Sequence, residues 1–442
     1  MHVTSPRRQL VTATYLASAA FGAFWGTWGS AVPRVRDQAG LGDAQLGTAL
    51  LFISAGALPA MLLTGRALDR WGLRCTAPLI VALGGAGLAA AITANGLVSL
   101  CAGLTGVGLA SGAADVAMNS VGGRAEQRSG RPIITRAGAV FSTAVVVSSL
   151  ATGAAFALGA PTWIPFTVVL LLSALAGAAI YRALPAGASG PEPAARSGTT
   201  GIRMPIVPLL LVGVLGALAF ASENAHQSWG AVFMEDVLAT GPGLSAIAPA
   251  AFAAVVATTR FAVSTLNPAR ARMVLVLGSL VAAAGATVLA RAPSVPVALA
   301  GLVLAAAGTA ALFPTLLSIV SRNVVESSRG RATSIVTVVS YLGFLLGPVY
   351  VGLWASATGL RGAMIAVAAL GLALAALTLP LLALSRYAVT PRPAANHGDE
   401  TGVPSAHSRR GPRKPTGALR LGVPRNSRIV AHMYNARFRR TP

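Results

Sequence analysis

Two carboxylates sit in surroundings that make a carboxylate costly. Glu223 lies in the middle of a long apolar run beside Asn224, His226 and Gln227, and Asp115 opens the stretch Asp115-Val116-Ala117-Met118-Asn119 inside another. An acid amid hydrocarbon persists only where it faces protein or water, and it can take and release a proton as its access changes. Glu223, Gln227 and Gly230 fall at i, i+4 and i+7, on one helical face. Glu223 is therefore a candidate proton-coupling or substrate-binding acid, with Asn224 and Gln227 beside it. A carboxyl hydrogen-bonded between helices for packing is the alternative. His226 reads more simply as a hydrogen-bonded helix histidine than as a proton relay. Trp25 and Trp28, with Phe21 and Phe24, either present ring faces to a solute or pack the helix.

The elements that carry these residues are long and apolar. The chain has 442 residues, 54% apolar and 10% charged, against roughly 25% charged in a soluble domain. About 20 apolar residues cross a hydrocarbon core of about 30 Å. Runs of that length are expected at 10–33, 45–66, 76–94, 97–121, 135–158 and 162–182. A stretch rich in Gly, Pro, Ser and Thr follows, and six more runs lie at 205–232, 244–265, 273–290, 295–320, 332–356 and 361–385. The first run, about 24 residues, is longer than the apolar region of a signal peptide, about 7–15, and reads as a retained helix. The fold class expected is an all-α membrane protein of twelve transmembrane helices in two pseudo-symmetric lobes of six. The expected organisation is a first lobe at 1–184, a linker at 185–204, a second lobe at 205–386 and a basic tail at 387–442.

Charge sets the expected orientation. Of 34 basic residues, eighteen fall at the ends and loops on the N-terminal side of the layout, Arg260 counted among them. Four (Arg34, Arg36, Arg291 and Arg361) fall on the other side, and twelve lie in the tail from Arg386 onward. The positive-inside rule then puts both termini in the cytoplasm. The net charge of +22 owes much to that tail, which has no apolar period. Its expected neighbour is the anionic lipid surface of the bilayer, not nucleic acid. Cys75 and Cys101 are expected near opposite membrane faces, so neither a disulfide nor a metal site is implied.

The halves echo each other. Glu126-x-x-x-Gly130-Arg131 recurs as Glu326-x-x-x-Gly330-Arg331, and Ala102-Gly103-Leu104 as Ala300-Gly301-Leu302. Both pairs fall at equivalent places in the two sets of six, as in the parallel repeats of transporters.

The loop after the second helix reads Gly65-Arg66-Ala67-Leu68-Asp69-Arg70-Trp71-Gly72-Leu73-Arg74. It resembles the G-x-x-x-D-R-x-G-x-R signature of the major facilitator superfamily. That resemblance extends from about residue 8 to 386. Trp28 to Pro33, Leu41 to Gly47, Asp115 to Asn119 and Tyr341 to Pro348 resemble segments of bacterial inner-membrane permeases related to sugar-proton symporters. It implies that Gly65, Asp69, Arg70, Gly72 and Arg74 form a conformational latch at the cytoplasmic face. Asp115 either joins the latch by pairing with Arg74 or Arg70, or faces the cavity, where Asn119 is a further candidate for the solute. It also implies that helices 1, 4, 7 and 10 line the cavity. Three departures matter. At the matching place in the second half Ala269 replaces the latch aspartate. Arg136-Ala137-Gly138 lacks the histidine that such permeases tend to carry. Gly343-x-x-x-Gly347-Pro348 sits in the eleventh helix, whereas drug antiporters carry this element in the fifth.

An enzyme is not expected: there is no Ser/His/Asp set, no metal-ligand cluster and no nucleotide loop, hence no cofactor and no built-in use of ATP. The expected function is secondary active transport of a small polar solute, sugar-like by the resemblance, by alternating access, coupled to protons as in symport. The alternative is a proton-driven multidrug or metabolite efflux antiporter. The expected setting is the cytoplasmic membrane of a bacterium, as a monomer.

Overall fold

The computed structural model describes residues 6–184, 205–264, 268–325 and 328–387, which form helices and no strands. The linker at 185–204, the tail from 388 and Glu326 of the internal repeat lie outside the described residues. The helices are α1 Pro6–Gln38, α2 Asp43–Trp71, α3 Thr76–Thr93, α4 Leu97–Ser129, α5 Ile133–Ala157 and α6 Trp163–Ala183. After the linker come α7 Ile206–Leu238, α8 Pro242–Ser245, α9 Ile247–Ser264, α10 Ala271–Ala290, α11 Val295–Thr309, α12 Leu312–Asn323 and α13 Arg329–Ser385.

Ten stretches are long and apolar enough to cross a membrane, with α8 joined to α9 and α11 to α12. Helix α13 has 57 residues but breaks at Gly359, whose φ of 75° is not helical, so it supplies two spans. Helix α1 has 33 residues; its Thr, Ser, Gly and Trp make it less greasy, and it is not among the ten. Within each stretch only 28–56% of the most apolar window is buried inside the protein. The rest is a belt of side chains such as Leu62, Leu171, Leu175, Leu277 and Leu346, a surface that only lipid can cover. The chain is a multi-pass membrane protein.

Packing runs mainly within α1–α6 and within α7–α13. The two sets meet where α2 packs on α13, α5 on α8 and α9, and α1 on α7. Glycines allow close approach between the sets, where Gly47 of α2 lies against the Pro348 carbonyl of α13, and within them. Gly343 of α13 lies directly against the backbone of Ala217 on α7, where a Cβ would overlap the carbonyl oxygen.

Prolines remove backbone donors from two helices near the centre. The expected single run at 295–320 is two helices, α11 and α12, because Pro314 has no N–H to offer the Ala310 carbonyl four residues back. Pro348, inside α13, deprives the Phe344 carbonyl in the same way. Both carbonyls need another donor.

Candidate functional site

The donors come from the polar cluster and its partner. Asn224 of α7 gives its amide to the Phe344 carbonyl at 2.7 Å and accepts from Ser228 at 3.0 Å. Arg260 of α9 gives its Nε–H to the Ala310 carbonyl at 3.0 Å and an Nη2–H to Glu223 Oε1 at 3.0 Å. Arg260 was expected with the loop arginines; it lies inside α9 and its charge is committed to Glu223. The ion pair is lopsided in exposure: the Glu223 side chain is 10% exposed and that of Arg260 46%. The acid is therefore the better shielded of the two.

Around this pair the face expected from the spacing divides. Gln227 is exposed, while Glu223, Asn224 and His226 are buried. His226 gives or shares its Nδ1 proton with the Ser222 carbonyl at 2.7 Å and stacks on Phe252 of α9, ring centroids 6.3 Å apart. Its Nε2 and the indole N–H of Trp229, one turn on, have no partner among the described residues.

Asp115 is placed differently from Glu223. Asn119 donates its amide to the Asp115 carboxylate at 3.1 Å and to the Asp115 carbonyl at 3.0 Å. Both residues line a cavity of about 250 Å³ with Thr14 and Ser18 of α1 and Phe141 of α5. The pairing with Arg74 or Arg70 is not formed here. Arg74 is turned to the end of α6, donating to the Leu184 carbonyl and lying over the Tyr181 ring at 4.8 Å. Arg70 lies over the ring of Trp71 at 5.8 Å.

In the rest of the proposed latch, Asp69 is exposed and makes no hydrogen bond among the described residues. Gly65 has open space about it, and Gly72 ends α2 at a φ of 77°, which favours glycine. Trp28 is buried, 5% exposed, against Phe166 of α6 at 6.4 Å, so it packs the first set of helices and offers no free face. Trp25 is half-buried, edge-on to Phe24 at 5.3 Å.

Two features went unread in the sequence. Phe220 of α7, Phe313 of α12, and Tyr341 and Phe344 of α13 form one ring cluster, with Phe220 4.2 Å from Phe313 and 5.6 Å from Tyr341. At the far end of the helices Arg36 of α1 grips both carboxylate oxygens of Asp236 on α7. It also pairs with Asp43 at 3.3 Å and Asp37 at 3.1 Å. The other described hydrogen bond between the two sets, from Ser149 to the Ala246 carbonyl at 2.9 Å, lies toward the same end. The arginine-rich loops are at the opposite end. The helices are therefore joined at one end around a centre that holds Glu223 and Asp115.

Comparison with known proteins agrees with this layout. Residues 269–434 match the family model described as Major Facilitator Superfamily. An uncharacterized MFS-type transporter of Yersinia pestis is 30% identical over 352 residues, 79% of this chain and 90% of that protein. An uncharacterized transporter of Sinorhizobium fredii is 28% identical, over 80% of this chain and 94% of its own length. Among solved structures, a bacterial homolog of the human lysosomal transporter Spinster superposes with a TM-score of 0.68 at 18% identity, covering 87% of this chain and 99% of that one. A D-xylose-proton symporter superposes with a TM-score of 0.66 at 14% identity, covering 84% and 97%. These two likenesses are of fold.

Proposed function

Because this chain belongs to the major facilitator superfamily of transporters, we propose that it moves a small polar solute across the cytoplasmic membrane of a bacterium by alternating access, coupled to protons through Glu223. The two lobes of this reading are 1–184 and 205–386, joined by the linker at 185–204, with both termini and the basic tail from 387 in the cytoplasm. The Arg36 end is then the outer end, closed here by the Arg36–Asp236 pair, and the cavity is available from the cytoplasm. In that state the latch at Asp69, Arg70 and Arg74 is open, in keeping with the absence of an Asp115–Arg74 pair.

The observation that carries the coupling is the Glu223–Arg260 pair. A carboxylate within the membrane-spanning part of α7 is stabilised there by one partly wet cation. Protonating it releases the arginine, and deprotonating it takes the arginine back, so proton occupancy and the packing of α7 against α9 change together. Gln227, exposed on the same helix, is positioned to meet the solute. The proposed working unit is a monomer, since one chain carries both lobes.

The test uses proteoliposomes carrying a trapped pH dye. A panel of sugars, polyols, amino acids and amines is added outside in turn, and solute-driven proton movement is recorded. The active solute should stop moving protons in the Glu223→Gln protein while still exchanging across the membrane. Proton movement that persists unchanged in Glu223→Gln would remove the role.

A further inference from the structure

A groove of about 560 Å³ runs along α1 between α5 and α6, and it includes neither Glu223 nor Asp115. Its floor is small: Ala20 and Ala23 of α1 are buried. Its rims, Val147 of α5 and Val168, Leu172 and Leu175 of α6, are exposed. No charged side chain lines it. Of its few polar residues, Thr152 gives its hydroxyl to Thr27 at 3.1 Å, and Ser148 gives its own to the Ala144 carbonyl at 2.7 Å. The groove therefore suits hydrocarbon and not a polar solute. Left empty beside a bilayer, its lining would forgo dispersion contacts.

The length of the groove is that of one lipid leaflet. The lining runs from Leu16 to Thr27 on α1, from Ala144 to Ala155 on α5 and from Ile164 to Ala176 on α6. Those spans make about 17–18 Å at 1.5 Å of rise per residue, against about 15 Å for half a hydrocarbon core of about 30 Å.

The two ends differ. The end at Leu16 and Leu175 is apolar. Past the other end stands Arg34, seven residues after Thr27 and so on the same face of α1. Its Nη2 donates to the Phe156 carbonyl at 3.4 Å, one residue beyond Ala155. That is one long bond from a group with five N–H donors. Arg34 has no carboxylate within ion-pair distance among the described residues. Glu235 of α7 feels its charge, but takes the Ser245 hydroxyl at 2.6 Å instead. Trp163, just before Ile164, is exposed, as indoles are at the level of the head groups. A cation and an indole thus flank the mouth of a groove one acyl chain deep. A zwitterionic head group would bring a cation of its own to Arg34; a net anionic one would not.

We propose that this groove holds one acyl chain of an anionic phospholipid, from the leaflet at the Arg36 end, with the lipid phosphate at Arg34. A lipid so placed braces α5 against α1 and α6. Helix α5 is also the one whose Ser149 bonds the Ala246 carbonyl of α9. The site goes beyond the transport reading and stands apart from it, since neither Glu223 nor the solute takes part.

Proteoliposomes of the full-length protein test it with two photoactivatable lipids. One is a phosphatidylglycerol and the other a phosphatidylcholine, each with a diazirine near the end of one acyl chain. After illumination, adducts are mapped by peptide mass spectrometry. Phosphatidylglycerol should label Val147, Leu172 and Leu175, toward the end away from Arg34, about fivefold more than phosphatidylcholine at equal mole fraction, the worth of one basic residue at a membrane surface. Exposed Leu277 of α10 is the reference, and its labelling should not change in any variant. Arg34→Gln should remove the preference at the groove, and Arg34→Lys should keep most of it. Ala151→Phe, at an exposed lining position, should suppress labelling of the three residues by either lipid. Val147→Phe, read at Leu172 and Leu175, serves if that variant does not fold. Glu223→Gln should leave the labelling unchanged, so failure of proton coupling and failure of the lipid site are told apart. Equal labelling by the two lipids, a preference that survives Arg34→Gln, or labelling unmoved by Ala151→Phe would overturn the proposal. A groove that neither lipid labels would give it another occupant, such as a second copy of the chain, and would overturn it as well.

Discussion

Arg260 and Glu223, 37 residues apart in the chain, meet at 3.0 Å because a third residue draws the arginine inward. Pro314 leaves the Ala310 carbonyl without its helical donor, and Arg260 supplies one. The guanidinium is thereby held at two points, the carbonyl and the acid. Pro348 and Asn224 repeat the device: the proline frees the Phe344 carbonyl and Asn224 on α7 fills it. The polar side chains of α7 and α9 are thus tied to the weak points of the neighbouring helices. A change at Pro314 is felt at Glu223 through the two hydrogen bonds of Arg260.

The Asn224 device makes a sharp prediction. Asn224→Ala leaves the partly buried Phe344 carbonyl unpaired, a loss of about 1–2 kcal/mol, and should lower the thermal midpoint in detergent by several degrees. Pro348→Ala restores an N–H that can reach the same carbonyl. In that background Asn224→Ala should cost about half as much or less. A thermal double-mutant cycle reads the coupling directly. Equal losses in the two backgrounds would show that Asn224 does not serve this carbonyl.

Removing the arginine should hurt more than removing the pair. Arg260→Leu strands the Glu223 carboxylate and the Ala310 carbonyl together. Because the Arg260 side chain is 46% exposed, water offsets part of this, and the loss should sit nearer 1–2 kcal/mol than the 3–5 of a fully buried pair. Glu223→Gln/Arg260→Leu should recover part of that stability and still fail to move protons. Stability and coupling then separate, and unfolding curves beside the pH-dye assay check both.

The part of this legible in the sequence was what depends on local composition. Glu223 stands out because a charge interrupts an apolar run, and the helix positions follow from the length of such runs. Arg260 was misassigned for the same reason: it lies four residues from the end of α9, where a charge ordinarily belongs to the loop, and its length lets it reach back. Pro314 was a usable signal for both the α11–α12 break and a donor nearby. The ring cluster was not legible, because it joins α7, α12 and α13 and depends on how each helix is rotated. The Arg36–Asp236 pair joins residues 200 apart, and nothing local marks such a contact.

Glycine substitutions separate packing from propensity. A Cβ at Gly343 collides with the Ala217 backbone, which cannot rotate away, so Gly343→Ala should force α13 off α7 and cost about 1–3 kcal/mol. Gly106 lies within α4 with open space around it, so Gly106→Ala should be neutral or add up to about 1 kcal/mol. Thermal midpoints of the two variants should move in opposite directions or differ by several degrees.

The Arg36–Asp236 pair predicts how the closed end opens. Its side chains are 12% and 33% exposed, enough shelter for a two-pronged, charge-assisted contact to be worth about 1–3 kcal/mol. That is a shift of about 5- to 150-fold between open and closed forms. The Asp236 hydrogen bond raises the Arg36 guanidinium further above its ordinary range, so the cation persists at every accessible pH and salt is the effective lever. Spin labels at Leu158 and Leu244, exposed at this end of α5 and α8, would report the gap in a protein with Cys75→Ser and Cys101→Ser. Asp236→Asn should shift the distances to longer values, as should high salt in the unmodified pair. Exchanging the charges, Arg36→Asp with Asp236→Arg, should not restore closure, because it sets a new carboxylate between Asp37 and Asp43, which now pair with Arg36. Distances unchanged by Asp236→Asn would show that the close packing of α2 on α13 and of α5 on α9 holds this end shut without the ion pair.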